Sequence, residues 1–98
     1  MNTRTKYKTV VKLRYWLMRE ILEKGNSIDD VKLAKRVGWT SKLLDMVMLV
    51  IMWCDREGMD ALKVLDRFGI ERGMAGKEGR VVNEALQMLG RKYSAKYL

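Results

Sequence analysis

The chain is expected to fold as an all-α, compact bundle of about five helices within a single domain over residues 1–98. Three observations predict this. No proline occurs in the 98 residues, apolar residues recur at spacings of three and four, and the eight glycines fall between the periodic segments. A hydrophobic content of 48% is enough for a modest core.

The first helix spans residues from about Tyr7 to Lys24. Val10, Leu13, Leu17 and Ile21 form one apolar stripe, and Val11, Tyr15, Met18 and Leu22 form a second beside it. Lys8, Lys12, Arg19 and Glu23 lie opposite, and Gly25 with Asn26 ends the helix. A second helix starts at Ser27, a good cap, with Asp30 placed where an acid favours a helix N-terminus. Ile28, Val31, Leu33, Ala34 and Val37 are its expected inward face, and Gly38 its left-handed end. Thr40 or Ser41 then caps a third helix. Leu43–Trp53 holds ten apolar residues in eleven, interrupted by Asp45. A helix apolar on every side is central to a core or shared with a second subunit, and a chain this short has little with which to surround it. A homodimer through Leu43–Trp53, with Met48, Leu49 or Met52 near the interface, is therefore expected.

Gly58 ends that helix. Asp60 caps a short one carrying Ala61, Val64, Leu65 and Phe68, and Gly69 ends it. The glycine-rich stretch from Gly69 to Gly79 reads as a connector. It lacks the phosphate-binding pattern, since Glu71 stands where a glycine is needed and Glu78 where a serine or threonine is needed. A last helix runs from about Arg80 to Leu89, with Val82, Ala85, Leu86 and Leu89 inward. No hairpin signal follows the second helix, so no wing is expected.

The order from Ser27 to Val47 resembles the helix-turn-helix of DNA-binding proteins. Ala34 matches the small residue between the two helices and Gly38 the turn glycine. Leu33, Val37, Trp39, Leu44 and Val47 match the buried positions. The resemblance covers residues 27–47 and implies that the second helix of the pair enters the major groove. Its outward residues would be Thr40, Ser41, Lys42, Asp45 and Met46. Lys42 would meet a phosphate or guanine edge, and Met46 a thymine methyl.

The formal charge of +8 points to an anionic partner. Residues 1–24 carry a net +5, residues 25–79 none and residues 80–98 a net +3. That distribution suggests a basic N-terminal arm, about residues 1–8 with Arg4, Lys6 and Lys8, and a basic tail, about residues 91–98 with Arg91, Lys92 and Lys96. Tyr93 and Tyr97 add stacking capacity to the tail.

No histidine is present, which removes His-dependent nucleophilic catalysis and His-ligated zinc. The one cysteine, Cys54, reads as a buried thiol. The acids Asp29-Asp30 and Asp55-Arg56-Glu57 read as a helix start and a solvated helix end. No enzyme activity, metal or cofactor is expected. Charges interrupt every early apolar run, so no signal core or membrane association is expected, and a cytoplasmic, intracellular protein is the expectation. The expected function is binding of double-stranded DNA as a small transcriptional regulator or accessory factor. The alternatives are a coat-type nucleoprotein subunit that does not read sequence, and a helical module that binds an acidic protein.

Overall fold

The computed structural model describes residues 3–70 and 77–97, with side chains from 7–70 and 80–97. It holds six helices: α1 (Thr3–Lys24), α2 (Ile28–Trp39), α3 (Leu43–Glu57), α4 (Ala61–Arg67), α5 (Lys77–Leu89) and α6 (Arg91–Tyr97). No strand occurs among the described residues. The Cα radius of gyration is 12.8 Å, and about 13 Å is usual for one domain of this length.

The central element is α3, which packs on α1, α4 and α5. Its Met46, Val47, Leu49, Val50, Ile51 and Trp53 are at most 1% exposed. Burying each contributes about 1.5–3 kcal/mol. The covering comes from within the chain: Val10, Leu13, Leu17 and Ile21 of α1, Val64 and Leu65 of α4, and Val82 and Leu86 of α5 share its core. The apolar surplus that suggested a second subunit is thereby largely accounted for. Leu49 is inside, Met48 half-buried, and Met52 is the member of that trio left exposed.

By contrast, α2 packs on α1 and has little other support. Its inner line is Val37 and Asp30, with Leu33 and Ala34 half-buried beside it. Ile28, Val31 and Trp39, expected inside, are 74%, 56% and 89% exposed. A helix held along one side has room for only one narrow buried line. The second stripe of α1 meets the same limit, and Val11, Tyr15 and Leu22 are exposed there.

A buried carboxylate fixes where α2 begins. Asp30 and Ser27 form a reciprocal capping box. The Asp30 carboxylate accepts from the backbone N–H of Asn26 at 2.8 Å and of Ser27 at 3.2 Å, and pairs with the Arg56 guanidinium at 2.5 Å. Arg56 lies over the Trp53 ring at 4.3 Å, and the Trp53 indole donates to Glu20 at 3.3 Å. Helices α1, α2 and α3 are thus joined by one polar chain. Sequence alone makes Arg56 part of a solvated helix end; its position in the last turn of α3 carries it to Asp30 instead. Just before the cap, a Cβ on Gly25 would collide with the Ile21 carbonyl oxygen and press on the Asp30 side chain.

Gly38 is not the left-handed turn. It lies inside α2, and the positive-φ glycines among the described residues are Gly58, Gly69 and Gly90. Helix α2 runs on to Trp39 and ends at Thr40, whose backbone is extended. Neither Thr40 nor Ser41 caps α3; Lys42 holds that place without a side-chain cap bond. Both termini also differ from basic arms. Residues 3–8 are the first turns of α1, and residues 91–97 form α6. Tyr93 and Tyr97 of α6 pack against the core, and the Ser94 hydroxyl donates to the Leu86 carbonyl at 3.1 Å.

Arg56 beside Asp30, together with the Asn26 and Ser27 bonds, lowers the Asp30 carboxyl from 3.8 to about 2. A depressed folded-state value stabilises the fold above the unfolded value and loses that contribution as pH falls through the folded one. Asp30→Asn is therefore expected to be less stable than wild type at pH 7, with the gap closing as pH drops below 3.8 toward about 2. Urea melts across that range measure the gap, and one that stays constant excludes the ion pair as its source. The two glycines give an opposite-signed pair. A Cβ on Gly38 meets only Met18 Cε, at 3.7 Å, so Gly38→Ala should be neutral or stabilising by up to about 1 kcal/mol. Gly25→Ala should lower the melting temperature clearly.

Candidate nucleic-acid interface

The outward line of α3 runs through Asp45, Met48, Met52 and Asp55, which puts two acids and two methionines where a groove-reading helix carries donors and cations. Met46 is fully buried and has no surface to offer a thymine methyl. It sits four residues before Val50 on the core side of the helix, about half a turn from the outward position expected of it. Thr40 is half-buried, with its hydroxyl donating to the Arg36 carbonyl at 2.7 Å and its own carbonyl accepting from Arg14. Ser41 and Lys42 are exposed, as expected.

The terminal cations divide. Lys92 and Lys96 both reach Asp55, at 3.3 Å and 2.7 Å, and hold its carboxyl below the usual range. They are partly neutralised. Arg91 and Lys8 are exposed, and the side chains of Arg4 and Lys6 lie outside the described residues. Residues 71–76 of the glycine-rich connector lie outside them as well.

A row of free positive charge also lies on α2. Lys32, Lys35, Arg36 and Trp39 are spaced i, i+3, i+4 and i+7, so they share one helical face opposite Asp30 and Val37. All four are exposed. The three cations, with Lys42 just beyond, form no ion pair with a described residue. The one exposed acid of α2, Asp29, stands at its far end. This spacing is readable in the sequence, but the helix-turn-helix resemblance draws attention to the following helix and leaves it unused.

Two elements bring aromatic rings to the Trp39 end. Arg14 of α1 donates to the Thr40 carbonyl, and Met18 lies against Gly38, which sets Tyr15 and Trp39 at the same level of the α1–α2 pair. Tyr15 is 67% and Trp39 89% exposed. The Arg19 guanidinium lies 5.9 Å from the Tyr15 ring centre. Beside Tyr15 a groove of about 600 Å³ runs between Val11, Lys12, Trp16, Arg19 and Phe68. Its acids are engaged: Glu20 with Lys24 and Trp53, and Glu23 with Arg19. At its floor Trp16 and Phe68 meet edge to face at 6.3 Å.

Among the described residues no three His, Cys, Asp or Glu side chains converge, and no helix is long and apolar enough to cross a membrane. Comparison of the chain with protein families, characterised proteins and solved structures gave no match.

Cys54 is buried, and burial pushes its thiol up to about 12. A thiol-specific disulfide reagent should therefore label the native protein far more slowly than the urea-unfolded chain. Labelling at the same rate in both states would place Cys54 at the surface.

Proposed function

We propose that this chain is a non-enzymatic nucleic-acid-binding protein of the accessory or coat type, with its contact surface on the outer side of α2. The observation that carries this reading is the row Lys32, Lys35, Arg36 and Lys42, exposed and unneutralised at the edge of the domain. A net charge of +8 supports the same partner class. Regularly spaced cations on one helix follow a phosphate backbone without reading bases, because phosphate contacts carry no sequence information. The acidic outer line of α3 favours this over a regulator that places α3 in the major groove. That line would set Asp45 against phosphates.

A helical protein-interaction module is the second reading. Leu22, Ile28 and Val31 favour it, exposed together around a shallow groove between the end of α1 and the start of α2.

A salt titration separates the two. Binding to random-sequence nucleic acid should weaken steeply with salt, and Lys32→Ala/Lys35→Ala/Arg36→Ala should reduce the log–log slope by about 2–3, at roughly 0.7–0.9 per lost phosphate contact. Weak binding at low salt that the triple variant leaves unchanged would move the function to the apolar surface.

A further inference from the structure

Resting on the nucleic-acid reading, we infer that the Tyr15–Trp39 end of the α1–α2 pair binds single-stranded nucleic acid by stacking unpaired bases on its two exposed rings. Tryptophan is highly buried on average in folded proteins, yet Trp39 keeps 89% of its surface. It is the last residue of α2 and lies on the outward face that carries Lys32, Lys35 and Arg36. Tyr15 stands level with it on the neighbouring helix, at 67% exposure.

The charges around these rings suit a strand that passes over them. Lys35 and Arg36 lie one turn before Trp39, Lys42 three residues after it, and Lys12 flanks Tyr15, with Arg19 beside it shared with Glu23. No acid lies in α2 beyond Asp30, which is buried and paired. Beside Tyr15 lies a groove lined by Lys12, Trp16, Arg19 and Phe68, whose acids Glu20 and Glu23 are paired with Lys24 and Arg19. Aromatic faces among cations, next to a groove, are the parts by which sequence-tolerant single-strand binding is built. A duplex cannot use the rings, because its bases already stack on one another and show only their edges. A duplex would therefore meet the lysines alone.

A second copy of this chain is a poor occupant. Antiparallel pairing of two α2 faces would set Lys32 against Lys35 of the other copy, and like charges at that spacing repel.

The test measures the full chain by fluorescence anisotropy against three probes at low salt. These are a labelled oligo(dT) of about 15 nucleotides, near the upper end of the roughly 4–16 that one small domain covers, a random-sequence duplex hairpin, and phosphatidylserine vesicles. Wild type should bind oligo(dT) more tightly than the duplex. Trp39→Ala should weaken oligo(dT) binding at least about fivefold, the lower end of one lost base stack, and leave duplex binding within about twofold. Trp39→Phe should recover most of the loss. Circular dichroism should be unchanged, since Trp39 makes little contact with the fold. Equal affinity for both nucleic acids with Trp39→Ala silent, or the same loss on both, overturns the stacking site and leaves the phosphate surface standing. Binding of neither nucleic acid overturns the broader reading. Tighter Trp39-dependent binding to the vesicles assigns the surface to a lipid headgroup layer and overturns the inference.

Discussion

Everything about the placement of α2 depends on one carboxylate. Asp30 is 3% exposed, and a charge taken that far from water must be compensated by several donors at once. Two backbone amides from the turn after α1 and one guanidinium from the end of α3 supply them. Satisfying Asp30 therefore brings three helix ends to one point. Gly25 is the companion constraint, because the turn can close over Asp30 only where no side chain intervenes. Arg56 passes the connection onward through Trp53 to Glu20, so α1 is held at that end as well as through its apolar stripe.

With its start pinned and only α1 behind it, α2 becomes the rim of the molecule. Two consequences follow from the same geometry. The face bearing Lys32, Lys35 and Arg36 is turned to solvent with nothing to neutralise it. The apolar residues that the core has no room for, Ile28 and Val31, are turned out with it. A basic row thus runs along the side of the domain. The α6 lysines are drawn inward to Asp55, where they serve to dock the last helix.

Much of the fold is legible in the residues. The 10-13-17-21 stripe of α1, the capping serine and aspartate of α2, the apolar run of α3 and the Asp60 cap of α4 all depend on local spacing, and each is where that spacing puts it. The departures share a different cause. Apolar character alone places Trp39, Ile28 and Val31 inside, but how many sides of a helix are covered depends on its neighbours, and α2 has one. The orientation of a groove-reading helix would put Met46 outside. The three packing partners of α3 turn it the other way. Asp30–Arg56 joins residues 26 apart, and no local pattern announces such a pair. The terminal segments look like arms because charge dominates their composition, whereas Tyr93 and Tyr97 give α6 an apolar side to dock with.

The one-sided attachment of α2 also sets a hierarchy of cohesion within the domain. Segments that bury few side chains open at a fraction of the free energy needed to unfold the whole. Between Ile28 and Trp39, Val37 and Asp30 are the buried members, while α3 contributes eight. The α2 segment is therefore a cooperative unit that detaches, as does α6 with no buried residue, before α3 with its partners on α1 and α5. Protonating Asp30 loosens that unit without touching the apolar centre, so acid conditions favour a species frayed along one rim around an intact core. Its amide protons would exchange with solvent well ahead of those in α3.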